Sequence, residues 1–333
     1  ANGNTTSYEY NTLDQRIKTT FRDSSAVEEG FDGLGRRTLS TDQASVTTNY
    51  SYDALGRLIK VTDVSGNETT FSYDEAGNKL SQIDAEGRTT FWSYDSLGRV
   101  VSRTLPLGQT EQYTYDLQGN VKSHTDFNGQ STTYSYDQGS RLIQSDYGDG
   151  TQETFTYDAL GNRLTANSSE GTTSYEYDAG NRLVSETQLS GAVLTYGYDL
   201  AGNRTSVTVM NPNDEESTTT YSYDALNRLE TVTEVESGLT SYGYDSVGNR
   251  TSISYANGTS TTYVYDDLNR LINIKHYDDG GALTQSFDYA LHATGRRTQI
   301  DELTGRITSY SYDDLYRLMD ETITDDINGN YSA

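Results

Sequence analysis

The chain has 333 residues and no cysteine, which excludes disulfides and thiolate metal sites. Its formal net charge is -25, a balance that disfavours nucleic acid or an anionic membrane as a partner. No apolar run approaches the ~20 residues of a membrane-spanning helix. Only 33% of the residues are hydrophobic, but the 29 tyrosines argue against disorder.

A short motif recurs along the whole chain. Residues 69–80, TTFSYDEAGNKL, carry an aromatic residue, a second aromatic residue two positions later, then Asp, Gly and a cation. With the second aromatic as the anchor, fifteen repeats follow at intervals of mostly 21 residues, with one interval of 20 and later ones of 25, 24 and 23. A fixed period predicts a repeat array, so we treat 1–333 as a single array. The anchors are Tyr10, Phe31, Tyr52, Tyr73, Tyr94, Tyr115, Tyr136, Tyr157, Tyr177, Tyr198, Tyr223, Tyr244, Tyr265, Tyr289 and Tyr312.

Each repeat predicts two strands and two turns. The array begins inside a repeat with the strand at 5–10, and a complete unit has strands at 56–62 and 69–74. Because 21 residues are too few for a strand, a crossover helix and a parallel strand, the unit is an antiparallel hairpin. We name the turn after the anchor the anchor turn, and the turn at the other end, predicted to be the wider, the opposite turn.

Insertions and the chain ends give further expectations. The insertions at 211–216 and 278–281 predict longer loops at two opposite turns. The last residues, 316–330, supply a first strand and its turn without a returning strand. The two ends are therefore halves of one hairpin, which indicates either end-to-end self-association or continuation of the same longer chain.

The two aromatic positions predict a structural ladder. Side chains two residues apart lie on one face of a strand, so the rings should form a double stripe that stacks on neighbouring hairpins. A glycan-binding platform is the functional alternative for these rings. The ladder residues are Tyr50, Tyr52, Phe71, Tyr73, Trp92, Tyr94, Tyr113, Tyr115, Tyr134, Tyr136, Phe155, Tyr157, Tyr175, Tyr177, Tyr196, Tyr198, Tyr221, Tyr223, Tyr242, Tyr244, Tyr263 and Tyr265.

The residues after each anchor predict a locked turn. Asp can accept backbone N–H groups, Gly supplies a positive φ, and a cation five or six positions after the anchor can pair with the Asp. A pair of catalytic carboxylates is the alternative, but an active site is one constellation rather than a motif copied in thirteen repeats. The turn-locking residues are Asp53, Gly56, Arg57, Asp74, Gly77, Lys79, Asp158, Gly161, Arg163, Asp199, Gly202, Arg204, Asp245, Gly248 and Arg250.

Searches for catalytic and metal-binding motifs give nothing. His124, His276 and His292 fall in different phases of the repeat, and no nucleotide-binding, zinc-protease or nucleophile-elbow motif is present. The turns at Asp149 and at 278–279 carry Ca²⁺-type ligands, but neither the EF-hand spacing nor the Ca²⁺-binding nonapeptide fits. We predict no enzyme and no cofactor, with Ca²⁺ as the alternative.

The repeated units resemble the YD repeats of the RHS family. The resemblance rests on SYDALGRLIKVTD (51–63), TYDALGNRLTAN (156–167), GYDLAGNRTSVT (197–208) and GYDSVGNRTSI (243–253). It implies one continuous antiparallel β-sheet of hairpins that spirals into a hollow shell or tube. In this family the shell encloses a toxic domain in bacterial and insecticidal toxins, or forms part of an adhesion receptor in teneurins. The closing motif, autoproteolytic Asp pair and toxin domain of the toxins are not in this sequence, so we predict no separate cap or toxin domain.

The function expected from the sequence is therefore structural. The leading hypothesis is a non-enzymatic segment of a secreted or cell-surface RHS/YD-repeat protein, forming a β-sheet shell, tube or filament. The first alternative is part of a cargo-encapsulating toxin shell with an enclosed polypeptide, and the second is an adhesin that binds a surface glycan. The resemblance implies an extracellular or cell-surface location.

Overall fold

The computed structural model describes residues 5–213, 215–325 and 331–332. They form 31 β-strands joined by short turns, and the described residues contain no helix that could span a membrane. The prediction of an all-β array of antiparallel hairpins is confirmed. The strands are β1 Ser7–Tyr10, β2 Arg16–Thr20, β3 Ala26–Phe31, β4 Arg37–Thr41, β5 Thr47–Tyr52, β6 Leu58–Thr62, β7 Glu68–Tyr73, β8 Lys79–Ile83, β9 Thr89–Tyr94, β10 Val100–Thr104, β11 Thr110–Tyr115, β12 Val121–Thr125, β13 Ser131–Tyr136, β14 Leu142–Asp146, β15 Gln152–Tyr157, β16 Arg163–Ser168, β17 Gly171–Tyr177, β18 Leu183–Thr187, β19 Val193–Tyr198, β20 Arg204–Met210, β21 Glu216–Tyr223, β22 Leu229–Glu234, β23 Gly238–Tyr244, β24 Arg250–Ser254, β25 Ser260–Tyr265, β26 Leu271–Tyr277, β27 Leu283–Leu291, β28 Arg297–Glu302, β29 Ile307–Tyr312, β30 Leu318–Thr324 and β31 Tyr331–Ser332.

Consecutive strands pair antiparallel from β1 to β7, from β8 to β22 and from β23 to β31. In the anchor hairpins the register shifts by one residue beside the anchor. Tyr52, for example, pairs with Leu58 while Ser51 pairs with Lys60, which leaves Ile59 as a bulge. Such a bulge adds local right-handed twist to the hairpin.

The anchor turns and most opposite turns share one five-residue geometry. In the anchor turn the N–H of Asp53 donates to the carbonyl of Arg57 at 3.0 Å. In the opposite turn the N–H of Asp63 donates to the carbonyl of Asn67, also at 3.0 Å. The expectation that the opposite turn is wider is therefore wrong. The fourth residue of each turn has a positive φ, +81° at Gly56 and +83° at Gly66.

The insertions lengthen strands rather than loops, which corrects the sequence-based expectation. β20 and β21 pair as far as Met210 and Glu216, and the N–H of Asn211 still closes a five-residue turn on the carbonyl of Glu215. Asp214 itself lies outside the described residues. The insertion near 278–281 lengthens β26 and β27 in the same way. Each added residue pair gains backbone hydrogen bonds in the sheet, which a loop would leave unpaired.

Two assignments near the end of the chain are also corrected. The anchor of the fourteenth repeat is Leu291 rather than Tyr289, because Leu291 pairs with Arg297 and Ala290 with Gln299 across the bulge. The interval before it is longer because β26 and β27 are both extended and Thr284 on β27 forms a second bulge, since His276 pairs with Gln285 and Tyr277 with Leu283. A returning strand is present after the last complete hairpin, since β31 pairs with β30. The turn at 326–330 lies outside the described residues.

The chain divides into two compact units, one of residues 1–70 with 239–333 and one of 71–238. In the first unit the early and late repeats contact each other. Arg22, in an early opposite turn, pairs through Nε with Asp267 Oδ2 of a late anchor turn at 3.0 Å. The Tyr316 hydroxyl donates to Asp42 Oδ2. We name this contact between the opposite turns 21–25 and 42–46 and the anchor turns 266–270, 292–296 and 313–317 the seam.

The seam explains an unusual backbone position. Tyr316 has φ +70° at a turn position that holds Gly or Asn in most repeats, and a bulky residue in this region is strained. Its ring lies under the Arg296 guanidinium, 3.3 Å from the guanidinium carbon, and its hydroxyl reaches Asp42. Desolvation and the Asp42 carboxylate raise the pKa of Tyr316 to about 12. The two interactions offset the cost of the left-handed backbone.

We predict that Tyr316→Phe destabilises the first unit in a pH-dependent way. The substitution keeps the ring but removes the bond to Asp42, at a cost of about 1 kcal/mol near neutral pH. The folded pKa is raised above the ordinary value of 10.0, so this contribution is complete below pH 10 and is lost as the pH rises toward 12. Urea unfolding at pH 8, 10 and 11.5 measures the difference between wild type and variant. A difference that does not shrink over this range would contradict the prediction.

Candidate functional site

The anchor turn is closed by its aspartate. Asp53 Oδ1 accepts the N–H groups of Leu55 and Arg57, both at 2.9 Å, and Oδ2 accepts Arg57 Nε at 2.7 Å. The backbone N–H of Arg57 and then its guanidinium lower the pKa of Asp53. The same Asp–Arg pair occurs in the anchor turns 32–36, 95–99, 137–141, 178–182, 224–228, 266–270 and 313–317.

A second class of anchor turn uses asparagine in place of arginine. Asp158 Oδ1 accepts the N–H of Asn162, and Oδ2 accepts the Asn162 side-chain amide, both at 2.8 Å. The amide lowers the pKa of Asp158, since it hydrogen-bonds the charged form. The same pair of bonds occurs at Asp74 with Asn78, Asp116 with Asn120, Asp199 with Asn203 and Asp245 with Asn249.

The cations of this second class do not close the turn, which corrects part of the turn-locking prediction. Lys79, Arg163, Arg204 and Arg250 stand six residues after the anchor, one residue beyond the Asn that bonds to the Asp. They are the first residues of β8, β16, β20 and β24 and lie over aromatic rings instead. Only the residue four positions after the Asp is placed to reach both of its oxygens.

The two turn classes alternate along most of the chain. The last position of the anchor turn holds Arg57, Asn78, Arg99, Asn120, Arg141, Asn162, Arg182, Asn203, Arg228, Asn249 and Arg270 in order. Sequence reasoning missed this alternation because it grouped cations at the fifth and sixth positions together. The signal was present as a period of two repeats.

Successive anchor turns are bonded to each other. Arg141 Nη1 donates to the Asp158 carbonyl at 2.8 Å, and Arg182 Nη1 donates to the Asp199 carbonyl at 3.1 Å. The Asn162 amide donates to Asn181 Oδ1 of the next turn at 3.1 Å. The turn residues therefore satisfy one another, and their turn glycines have φ between +76° at Gly98 and +100° at Gly248, with Gly56, Gly77, Gly161 and Gly202 between them.

The anchor tyrosines bond to the preceding repeat. Tyr115 Oη donates to the Val100 carbonyl at 2.7 Å, and Tyr157 Oη donates to the Leu142 carbonyl at 2.7 Å. The acceptor is in each case the first residue of the strand that follows the preceding anchor turn. The same bond is made by Tyr52, Tyr94, Tyr136, Tyr177, Tyr198, Tyr223, Tyr265 and Tyr312. Tyr73 and Tyr244 occupy the same last position of their strands.

Rings of successive repeats are separated by cations, which corrects the expected ring-on-ring stacking. An intervening strand puts the ring positions roughly 9.6 Å apart, beyond the 4.5–7 Å range of ring pairs. Arg163 on β16 fills this gap, 5.7 Å from the Phe155 ring and 5.2 Å from the Tyr175 ring. Arg204 lies between Tyr196 and Tyr221 in the same way.

Other ring positions meet cations or cross-strand neighbours. The Lys79 ammonium lies 3.8 Å from the Trp92 ring and 5.9 Å from Phe71. Arg37 lies over Tyr50 at 4.7 Å. The rings of Tyr134, Tyr242 and Tyr263 face Ser145, Ile253 and Ile274 across their hairpins. These contacts make the predicted stripe a ladder of alternating rings and cations.

One position of the ladder is chemically distinct. The Tyr113 ring stacks on His124 with centroids 4.6 Å apart, and the Tyr113 hydroxyl donates to Glu111 at 3.1 Å. His124 Nε2 lies 3.5 Å from Glu111, and Arg103 Nη1 lies 3.6 Å from it. This is a local polar network within the ring ladder. In the described part of the chain, no three His, Cys, Asp or Glu side chains converge as a metal site.

We predict that Tyr115→Phe lowers the free energy of unfolding by about 1 kcal/mol, because it deletes the hydroxyl but keeps the ring under Arg99. Urea unfolding followed by circular dichroism measures the loss. Tyr134→Phe is the matched control, since its position already holds Phe at 71 and 155. Equal losses in the two variants would contradict the assigned role of the anchor hydroxyl.

We predict that stability falls in acid through the anchor-turn aspartates. The Arg141 N–H and guanidinium hold the pKa of Asp137 below 3.8, so its contribution is complete above pH 3.8 and is lost as the pH falls through the lowered value. Asp137→Asn keeps an acceptor but removes the charge, so its unfolding free energy should depend less on pH between 6 and 2.5. Asp137→Ala, which removes both, should be the less stable variant at pH 6. A variant with the wild-type pH dependence would contradict this role.

Solved structures share the fold. The chain matches a structure described as TcdB2-TccC3-TEV with a TM-score of 0.63 and 16% identity, over 96% of this chain and 21% of that one. It matches a Photorhabdus luminescens Tc holotoxin pore with a TM-score of 0.61 and 14% identity, over 99% of this chain and 22% of that one. The chain thus spans about a fifth of the length of these structures. A comparison with curated proteins gave no match.

Two family models match nearly the whole repeat array. The RHS Repeat model matches residues 31–68, 52–89, 94–130, 115–152 and 157–192. The Teneurin YD-shell model matches residues 192–330. These matches, with the shared fold and the recurring anchor turn, show that the chain belongs to the RHS/YD-repeat family.

Proposed function

We propose that this chain is a non-enzymatic structural segment of a secreted or cell-surface RHS/YD-repeat protein. The observation that supports this role is that the charged and polar residues of the anchor turns are hydrogen-bonded within the repeat array itself. The Asp, Arg and Asn of each anchor turn bond to one another and to the next turn, as at Asp137, Arg141 and Asp158. Groups engaged in the same way in repeat after repeat are structural, because catalysis needs one distinct constellation.

The burial of the chain supports a wall rather than a globular domain. Among the described residues Ile253 is the single buried hydrophobic side chain, at 8% exposure. Stability must therefore come from contacts between neighbouring hairpins, as in other repeat arrays. A sheet of this kind provides surface area and enclosure rather than a pocket.

A cargo-enclosing toxin shell is the second candidate. The supporting observation is that nearly all of the chain matches the fold of a part of a Tc holotoxin structure. In that reading the chain forms part of a wall around an enclosed polypeptide. Proteolysis of the protein isolated from its natural source, followed by mass spectrometry, tests it. A protected non-repeat polypeptide supports enclosure, and its absence contradicts it.

The form of assembly has two further possibilities: continuation of the same longer chain and end-to-end pairing between copies. Strand β1 has four exposed residues, including Tyr8 and Tyr10, and pairs with β2. An edge with free backbone groups can accept another strand. Either route would extend the wall by the hairpin repeat that builds it.

A glycan-binding role is less well supported by the ring ladder. Sugars stack on open aromatic faces, whereas cations cover ring faces in this chain, as Lys79 covers Trp92. Anchor hydroxyls such as that of Tyr115 are engaged by backbone carbonyls. We therefore expect no binding on a glycan array, and saturable binding would favour the adhesin.

We predict that small-angle X-ray scattering of the purified chain gives the thickness of a single sheet, about 10 Å. The thickness follows from an array in which each hairpin contacts its neighbours in the sheet instead of a second layer. A thickness typical of a filled globule would contradict the wall role. Intact mass near 36.9 kDa controls for proteolysis of the sample.

A further inference from the structure

Two aspartates face each other across one hairpin of the array. Asp288 on β27 pairs in register with Asp301 on β28. The neighbouring Phe287 pairs with Ile274, which pairs with Tyr263 of the ring ladder, so the two aspartates lie on the opposite face of the sheet. Directly opposed like charges destabilise an antiparallel strand pair. Among the cross-strand pairs that the structure describes, this one alone sets two carboxylates against each other.

Hydrogen bonds from neutral amides offset only part of this repulsion. Asn273 Nδ2 donates to Asp288 Oδ1 at 2.6 Å, and Gln299 Nε2 donates to Asp301 Oδ1, also at 2.6 Å. Lys275 lies on the same face, but it stands opposite a serine rather than an aspartate. Two adjacent negative charges therefore remain, in a chain whose formal net charge is already -25.

A buried oxygen without a hydrogen-bond partner lies beside the two aspartates. Asn273 is 6% exposed, and its Oδ1 accepts no hydrogen bond from the described residues. Exchanging the two atoms of the amide is no remedy, because an oxygen would then face the Asp288 carboxylate. A buried acceptor left unpaired is costly. This oxygen and the two carboxylates together point to a ligand that supplies positive charge.

The distances allow one ion to reach all of these oxygens. Nδ2 and Oδ1 of Asn273 share one carbon, so Oδ1 lies within about 5.2 Å of Asp288 Oδ1. Ca²⁺ binds oxygens at about 2.3–2.6 Å, so two of its ligands can stand that far apart. Ser286 Oγ lies 3.2 Å from Asp288 Oδ2. Facing residues have Cβ atoms about 4.5–5.5 Å apart, which brings the Asp301 carboxylate into range as well.

We propose that this part of the sheet binds a calcium ion, held by the carboxylates of Asp288 and Asp301, the side-chain oxygen of Asn273 and the hydroxyl of Ser286. Carboxylate and amide oxygens are ligands that Ca²⁺ prefers, and water completes its coordination. The ion joins β26, β27 and β28 and neutralises the facing charges. This site goes beyond the structural role proposed above, which stands whether or not the ion binds.

Asp301→Asn tests the site through its stability with and without calcium. In EDTA the variant should be at least as stable as wild type, because it removes the repulsion between facing carboxylates. In about 5 mM CaCl₂ wild type should gain stability and the variant should not, since an ion that binds the folded state stabilises it. Thermal unfolding followed by circular dichroism measures both. A variant that gains as much as wild type, or a wild type that gains nothing, overturns the proposal.

Isothermal titration calorimetry of the full chain in about 0.15 M NaCl supplies a second test. We expect wild type to bind a single Ca²⁺ with a Kd of about 1 mM or tighter, and Asp301→Asn to bind at least about tenfold more weakly. The matched control is Asp146→Asn, which should bind like wild type. Asp146 accepts the amides of Gln144 and Gln152 on the same face but faces no second carboxylate.

The chain's charge makes a comparison with magnesium necessary. Counterions that only screen the net charge of -25 would give the same heats with CaCl₂ and MgCl₂, and Asp301→Asn would leave those heats unchanged. That result overturns the calcium site. A loss of Ca²⁺ binding in Asp301→Asn that Asp146→Asn does not share supports it.

Discussion

The hydrogen bond from each anchor tyrosine to the preceding hairpin is the interaction on which the array depends. Ten anchor tyrosines make it with the same geometry, as Tyr157 does to the Leu142 carbonyl. In the part of the chain that the structure describes, Ile253 is the one buried hydrophobic side chain, so the sheet cannot rely on a core and each hairpin must be held by its neighbours. The hydroxyl of the tyrosine that ends one strand donates to the carbonyl of the first residue of the strand before it, as between β15 and β14.

The anchor turns and the ring ladder complete the coupling on either side of this bond. Arginine turns reach the carbonyl of the next turn, and asparagine turns reach its side chains. In the asparagine turns the cation stands six residues after the anchor instead of five. There it lies between aromatic rings, as Arg163 does beside Tyr175. Because the two turn classes alternate, the cations of one class hold the anchor turns and those of the other class lie in the ring ladder.

Much of the repeat could be predicted from the sequence, and the failures have physical causes. Period, hairpin topology and the positive φ of the turn glycines follow from local patterns around residues such as Gly56. The different tasks of the fifth and sixth positions depend on a bulge, which no single residue type encodes. The sequence also indicated the wrong anchor for the fourteenth repeat. Phe287 and Tyr289 reproduce the spacing of the two aromatic residues, but they stand two residues before the true positions, and the anchor is Leu291.

The seam could not be predicted, because Tyr316 and Asp42 are 274 residues apart in the sequence. The one trace of it was Tyr316 at a position that favours glycine.

The central claim, coupling between neighbouring repeats through the anchor hydroxyl, is tested most directly by hydrogen exchange measured by mass spectrometry on Tyr157→Phe. The account predicts faster exchange in β14, β15 and β16, with wild-type protection in distant strands such as β20 and β21, since each repeat is held by its neighbours. Unchanged protection around Leu142, or a uniform loss over the whole chain, would contradict it.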